Sequence, residues 1–253
     1  MDNFIYKADY KVAEFFHEVY LSLGEFSNGL MKIISYIGEA GILFLLTGLV
    51  LALFKRTRKI GVTIIVSVAI GFLITNVLLK NIVCRTRPFE SMGSDFYKWW
   101  LDAGATSESG YSFPSGHTTA TTAFSLVIFL TVNKKYSWPI LFLPVLMASS
   151  RIYLMVHYFT DCLGGIVAGC LGAIIAYFIT QWMYTTKLKL FVWMKNFELF
   201  KSQNSNNKSD QQEDVTYTEM ADKEFTYVTQ EDEKQNQIAS QVNLDNDDKT
   251  NIK

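Results

Sequence analysis

Two long apolar runs without a charged residue are the strongest constraint on this chain. Ile60–Leu79 contains 20 residues and Cys162–Tyr184 contains 23, and neither includes Asp, Glu, Lys or Arg. About 20 predominantly apolar residues are enough for one helix to cross the hydrocarbon core of a bilayer. A buried soluble helical bundle is the alternative, but two such uncharged runs in one short chain disfavour it. We therefore expect an integral membrane protein.

Three other apolar segments extend this prediction to a bundle. Met31–Phe54 is interrupted by two charges, and Ser115–Val132 and Tyr136–Val156 are shorter or interrupted but strongly apolar. Together with the first two runs they predict an all-α membrane helical bundle of five spans, forming a core over residues 31–185. No pattern in the chain indicates an oligomeric state.

The N-terminal segment, residues 1–30, has a different composition. Its apolar residues alternate with Lys, Asp and Glu in an amphipathic pattern that is too charged for an ordinary span. An amphipathic helix lying at the outer interface is the simplest interpretation. A sixth span, which would place the N-terminus inside, is the alternative. We expect no signal peptide, because no clean apolar stretch leads to a small-residue cleavage site.

Basic residues indicate an orientation. Lys and Arg concentrate at 55–59, at Lys134 and Lys135, and in a juxtamembrane amphipathic segment at 186–200. Five spans put these three stretches on one side, and cytoplasmic loops carry an excess of Lys and Arg. The long loop after Leu79 then lies on the outer side of a plasma membrane.

The C-terminal segment, residues 201–253, is hydrophilic. It contains 12 acidic and 6 basic residues and so carries −6, which leaves +5 for residues 1–200 of a chain whose total is −1. Such a segment buries too little apolar area to offset the entropy of ordering it. We predict a disordered acidic cytoplasmic tail, with a partner-binding segment as the alternative.

Polar residues at the predicted outer ends of the spans form three groups. Lys80, Arg87 and Arg151 bring three positive charges to that face, and a phosphate would neutralise them well, since Arg presents a planar fork to its oxygens. Ser115 and Gly116 lie where a loop enters a helix, and free N–H groups at a helix start favour an anion.

Two of the three histidines also fall in these groups. His117 lies in the first turn of its helix, and His157 precedes Asp161 by four residues, so the two share a helix face. A carboxylate beside an imidazole sets its tautomer and leaves the other ring nitrogen free as a nucleophile or base. Each feature taken singly has a structural explanation as a span-flanking charge, a turn or a cap. The combination is far more specific than its parts.

The combined pattern resembles a known family. Three motifs carry the resemblance, in order and without substitution at their defining positions: Lys80-x6-Arg87-Pro88, Pro114-Ser115-Gly116-His117 and Ser150-Arg151-x5-His157-x3-Asp161. They resemble the signature of the type 2 phosphatidic acid phosphatase superfamily over about residues 30–185. The chain is similar to the small bacterial members, which include undecaprenyl diphosphate and phosphatidylglycerophosphate phosphatases.

The resemblance implies roles for individual residues. His157 would attack phosphorus, Asp161 would orient it, and His117 would protonate the leaving oxygen and then activate water. The expected phosphate ligands are Lys80, Arg87, Ser115, Gly116 and Arg151, with Arg85 a weaker candidate and Ser150 a support for Arg151. Fixed cations would do what Mg²⁺ does elsewhere, so the resemblance implies no metal and no cofactor. The implied partner is a membrane lipid phosphate, with no nucleic acid.

Several alternatives remain open at this point. Vanadium haloperoxidases share the motifs but are soluble and much larger, and glucose-6-phosphatase shares them without a lipid substrate. A site at headgroup depth favours a lipid, and aromatic residues in the outer loop would form an entry rim or merely anchor the loop. A non-catalytic phospholipid or phosphate binder is the alternative of another class, but a binder needs neither His117 nor the pair of His157 and Asp161.

Overall fold

The computed structural model describes residues 2–186, and within them it contains helices, turns and bends but no β-strand. The α-helices, in chain order, are α1 (Asp2–Leu23), α2 (Glu25–Ile37), α3 (Ile42–Leu53), α4 (Arg58–Phe72), α5 (Lys80–Val83), α6 (Asp95–Asp102), α7 (Gly116–Thr131), α8 (Lys134–Ser137), α9 (Leu143–Tyr153) and α10 (Phe159–Thr185). A π-helix, Leu73–Leu79, joins α4 to α5, and 3₁₀ turns are formed by Glu39–Gly41, Pro88–Glu90 and Trp138–Phe142. The predicted all-α fold is confirmed for this part of the chain. The predicted tail, and the juxtamembrane segment after its first residue, lie outside it.

Some of the helical segments are long and apolar enough to cross a membrane. Arg58–Glu90, with 33 residues, and Phe159–Thr185, with 27, qualify by length and composition, and α2 with α3 qualifies as a third if the bent pair is one span. The predicted count of five spans stays a prediction, because α7 and α9 contain 16 and 11 residues.

The first predicted span is broken rather than continuous. A bend of 44° separates α2 from α3. Gly41, at the start of α3, has a φ of 70°, in the left-handed region that glycine adopts without steric cost. The apolar character of Met31–Phe54, which resumes after its two charges, did not reveal this break, because hydropathy carries no signal for backbone conformation.

The bundle centre is formed by α4, α7 and α10, which pack on one another, with α3 against α4. Its buried apolar core consists of Phe44, Ile64, Val68, Ala120, Ala123, Val127 and Ala173. Glycines allow α10 to approach α7 closely: a Cβ at Gly165 would stand 2.7 Å from the carbonyl oxygen of Ser115. Small residues at helix interfaces permit such contacts in membranes. This contact brings the starts of α7 and α10 together, where two of the three motifs lie.

Large apolar side chains cover the outside of the bundle. On α3 and α10 the exposed ones include Leu43, Leu46, Leu49, Val50, Val167, Leu171, Phe178 and Trp182. A soluble monomer rarely exposes contiguous apolar area on this scale. The exposed surface therefore agrees with the apolar spans in indicating a membrane-embedded protein.

Helix α1 packs on α9 and α10 and has an unusual distribution of side chains. Its Asp9 is 1 % exposed, whereas Phe4 and Leu21 are 79 % and 69 % exposed. The helix therefore turns a carboxylate inward and apolar groups outward. Its predicted position at the outer interface stays a prediction.

Candidate active site

A cavity of about 590 Å³ opens among α3, α4, the π-helix and α7. Five of the residues predicted from the motifs line it, namely Lys80, Arg87, Gly116, His117 and His157. Apolar side chains, including Leu45, Val68, Phe72 and Leu73, also line this cavity. The cavity therefore combines cations and histidines with apolar walls.

His157 lies in the turn between α9 and α10 and is 2 % exposed. Its Nδ1 is 3.6 Å from Asp161 Oδ2, and its Nε2 is 3.4 Å from Arg87 Nη1. A guanidinium N–H can only donate, so this hydrogen-bond network assigns the proton to Nδ1 and leaves a lone pair on Nε2. Burial lowers the pKa of His157 to about 4, against the opposing effect of the nearby Asp161 carboxylate. The ring is therefore neutral at pH 7.

Asp161 is fully buried in the first turn of α10 and is held by several donors. Its Oδ2 accepts the Ser112 hydroxyl at 2.5 Å and the Tyr158 backbone N–H at 2.8 Å. Its Oδ1 accepts from Arg85 Nη1 at 2.6 Å. The carboxylate is therefore held from both sides before any ligand arrives.

His117 has a much sparser environment at the start of α7. Its side chain is 11 % exposed, and Glu39 Oε2 lies 3.5 Å from its Nε2. Among the residues that the structure describes, none forms a hydrogen bond with this nitrogen. His117 therefore faces the cavity with an unused ring nitrogen.

Arg87 is anchored mainly by backbone carbonyls. Its guanidinium donates to the carbonyl oxygens of Gly110 and Ser109 at 2.8 Å and of Val156 at 2.9 Å. These bonds tie the loop between the first two motifs and the turn that bears His157 to one buried cation. Most of the Arg87 donors are already committed, so few remain for a phosphate oxygen.

Arg151 is 1 % exposed at the end of α9, and its Nη1 donates to the hydroxyl of Ser35 on α2. Its Nη2 donates to Glu108 Oε1, and Arg87 Nη2 lies 3.8 Å from Glu108 Oε2. Ser150, expected to support Arg151, instead donates its hydroxyl to the carbonyl of Met147 at 2.9 Å.

Glu108 therefore lies within the cluster of cations formed by Arg87 and Arg151. Burial alone would raise the pKa of its carboxyl, but Arg151 and the other neighbouring cations hold that pKa below its ordinary value. The carboxylate is ionised at neutral pH. It supplies the negative charge that two guanidinium groups would otherwise lack.

Ser115 acts locally as the N-cap of α7. Its buried hydroxyl lies 3.5 Å from the Thr118 N–H and 3.1 Å from the Thr118 hydroxyl, which donates to it. Its backbone N–H donates to the Asp161 carbonyl at 3.0 Å, which joins the second and third motifs directly. Gly116 is one of the residues that line the cavity, and Ser115 is not.

Comparison with known sequences agrees with this geometry. The sequence model of the PAP2 superfamily matches residues 40–186, more than half of the chain, and the match contains all three motifs. The chain belongs to the PAP2 superfamily.

Relatives within and near the PAP2 superfamily differ in what they are named for. The undecaprenyl-diphosphatase of Sulfolobus acidocaldarius is 33 % identical over 143 residues, which cover 56 % of this chain and 65 % of that protein. The lipid A 4′-phosphatase of Porphyromonas gingivalis is 33 % identical over 123 residues, which cover 46 % of this chain and 50 % of that protein. The matched region is thus less than two thirds of either relative.

A solved PAP2 structure supports the fold. The crystal structure of the transmembrane PAP2-type phosphatidylglycerolphosphate phosphatase from Bacillus subtilis matches with a TM-score of 0.52 at 22 % identity. The match covers 74 % of this chain and 89 % of that one. At this identity the comparison establishes a shared fold.

Three residues of this PAP2 protein's site were missed from sequence. Glu108 and Ser112 lie in the loop before the second motif, and Asp9 lies in the N-terminal segment. The available signal was Glu108 itself, a carboxylate in the loop between the cationic first motif and the second motif. It did not stand out, because loops often carry solvated charges. Arg85, considered as a phosphate ligand, contacts Asp9 and Asp161 instead.

Proposed function

We propose that this PAP2 protein hydrolyses a lipid phosphate or diphosphate without a metal, through a phosphohistidine formed on His157. The observation that carries the proposal is the setting of His157. Its Nδ1 faces a fully held carboxylate, and its Nε2 faces a cavity lined by cations. A neutral, oriented imidazole with its lone pair on the nitrogen that faces the cavity is the nucleophile that such a reaction needs.

The chemistry balances with the groups present. His157 Nε2 forms a bond to phosphorus as the bond to the leaving oxygen breaks, and His117 supplies the proton that the leaving oxygen takes. Water then attacks phosphorus, His117 takes its proton, and the bond to His157 breaks to release inorganic phosphate. Lys80, Arg87 and Arg151 stabilise the charge on the transferring phosphoryl group.

The apolar walls of the cavity support a lipid substrate. Leu45, Val68, Phe72 and Leu73 would hold a hydrocarbon chain while the phosphate lies among the cations. A water-soluble sugar phosphate would leave these walls unoccupied.

The site belongs on the extracytoplasmic face in this proposal. α7 begins at the site with Gly116 and ends at Thr131, shortly before the basic pair Lys134 and Lys135. At 1.5 Å per residue, a helix of this length separates its two ends by roughly 24 Å. The excess of basic residues at the far end supports a cytoplasmic assignment for that end.

The first test is phosphate release by the purified protein in EDTA, with undecaprenyl diphosphate, phosphatidylglycerophosphate, phosphatidic acid and glucose 6-phosphate. We expect release from at least one of the lipids and its loss in His157→Ala. His17→Ala is the matched control, because His17 stacks on Trp99 outside the site. Lipid binding without release by a folded protein would instead support a binder, and reversible loss in EDTA would overturn the metal-free mechanism.

A second test concerns orientation. Cys84 is exposed within the first motif, whereas Cys162 is buried. A membrane-impermeant maleimide added to intact cells should label Cys84. A cysteine placed in the basic loop, Lys135→Cys in a Cys84→Ser background, should react only after permeabilisation. The reverse pattern would put the site on the cytoplasmic side.

A further inference from the structure

Asp9 is a buried carboxylate that the proposed reaction does not use. It lies on α1, far in sequence from the motifs, and is 1 % exposed. Its Oδ1 accepts the Thr160 backbone N–H at 2.8 Å, and its Oδ2 accepts from Arg85 Nη2 at 2.7 Å. Burying a charge is costly unless it is paired, so the position of Asp9 calls for an explanation.

Arg85 connects Asp9 to the proposed catalytic carboxylate. Its Nη1 donates to Asp161 Oδ1 at 2.6 Å and its guanidinium stacks over the Tyr158 ring at 3.9 Å. Nη1 also donates to the Thr160 hydroxyl at 2.8 Å. One guanidinium is thus held rigidly between two carboxylates, each of them almost completely buried.

We infer that Asp9 and Arg85 are positioning residues that set the orientation and the effective charge of Asp161. Arg85 holds Oδ1, which turns Oδ2 toward His157. Asp9 offsets the positive charge of Arg85, so that the three groups together keep one negative charge beside the imidazole. Without Asp9, Arg85 would neutralise Asp161 and weaken its support of the positive charge that His157 acquires on phosphorylation. This inference rests on the proposed phosphohistidine function.

Asp9→Asn tests the charge while keeping the shape of the side chain. We expect kcat to fall by roughly tenfold or more, as is typical for groups that support a reacting residue indirectly. KM should change by less than about threefold, because the cations facing the phosphate are untouched. Asp9→Glu, which restores the charge, should recover at least part of the lost kcat. Wild-type kcat in Asp9→Asn would overturn the inference.

The double variant Asp9→Asn/Arg85→Gln separates charge from packing. Removing both members leaves Asp161 with its own negative charge, while the Ser112 hydroxyl and the Tyr158 backbone N–H still hold its Oδ2 toward His157. We therefore expect kcat to be higher than in Asp9→Asn alone. A merely structural role predicts the opposite, since a second contact is lost, and an equal or lower kcat would overturn the inference. Arg85→Gln alone leaves Asp9 buried without its cation, so we expect it to lower thermal stability more than the double variant does.

Asp95→Asn is the matched control. Asp95 on α6 accepts the hydroxyl of Tyr10 at 3.0 Å, so it tethers α1 one residue away from Asp9 but does not contact Asp161. It should retain wild-type kcat, and a loss equal to that of Asp9→Asn would assign the effect to helix docking and overturn the inference. His157→Ala run in parallel separates the two proposals. An active His157→Ala overturns the proposed function, whereas an inactive His157→Ala with a fully active Asp9→Asn overturns only this inference.

Discussion

The two histidines of the site lie in contrasting environments. His157 is 2 % exposed and faces Asp161, which the Ser112 hydroxyl and Arg85 already hold. His117 faces the cavity with the Glu39 carboxylate 3.5 Å from its Nε2, and within the described residues no hydrogen bond to that nitrogen is formed. In the proposed mechanism the nucleophile is thus oriented by groups of the protein, whereas the acid–base group keeps a ring nitrogen available to the substrate. Dipoles that are already oriented need no reorganisation during the reaction. His117, by contrast, would exchange protons first with the leaving oxygen and then with water, so its ring nitrogen must be available to both.

The largest expected effect comes from removing the free side. His117→Ala should lower kcat/KM for an alkyl phosphate by roughly 10² to 10⁴, because the leaving oxygen then departs without a proton. With nitrophenyl phosphate the leaving group, nitrophenolate, needs no proton, so the substrate should still phosphorylate His157. One equivalent of nitrophenolate should be released, followed by slow turnover.

Rapid-mixing kinetics and mass spectrometry of the phosphorylated protein would check this prediction. His157→Ala is the control and should show no burst. If His117→Ala also shows no burst with the nitrophenyl substrate, His117 is needed to form the phosphohistidine itself. The two histidines would then not have the separate roles proposed for them.

A smaller effect is expected at Glu108, whose carboxylate competes for the cations. Glu108→Gln should bind inorganic phosphate roughly tenfold more tightly, since the anion no longer displaces a charge from Arg151 and Arg87. Isothermal titration calorimetry would measure the Kd for phosphate. Asp102→Asn, which removes an exposed carboxylate, is the control. Unchanged or weaker binding would mean that Glu108 helps to form the phosphate site rather than occupying it.

Ser112→Ala probes the pre-organised side more gently. Loss of its 2.5 Å hydrogen bond to Asp161 should lower kcat by about 3- to 10-fold, the usual net worth of one hydrogen bond. Ser107→Ala, in an exposed part of the same loop, should retain wild-type kcat. Equal effects of the two substitutions would show that loop packing, and not the hydroxyl, supports Asp161.

The gentlest test leaves the chain unchanged. Burial lowers the pKa of His157 to about 4. NMR of histidine-labelled protein should therefore show this ring titrating near pH 4 rather than near the ordinary value of 6.5. Because the folded pKa is the lower one, the neutral ring favours the folded state above pH 6.5, and that contribution is lost as the pH falls toward 4. His157→Ala assigns the signal, and a midpoint near 6.5 would mean that the ring is more hydrated than its burial indicates.

Much of the site was predictable because its residues lie in short motifs. His157 and Asp161 are four residues apart, and the structure brings them together through the turn that opens α10. Lys80, Arg87 and His117 come from separate motifs and line one cavity. The roles assigned to these groups stay predictions, as do the five-span count and the orientation.

The sequence by itself determined that the chain is helical and apolar enough for a membrane, because hydropathy and helical period are local properties. It also determined which cations and histidines belong to the PAP2 motifs. Only the tertiary structure decided the break between α2 and α3, the contact of Glu108 with Arg151, and the placement of Asp9 against Arg85. A buried charged side chain pairs with whichever groups share its low-dielectric surroundings. Asp9 and Arg85 are 76 positions apart in the chain, so they share those surroundings only after the chain has folded.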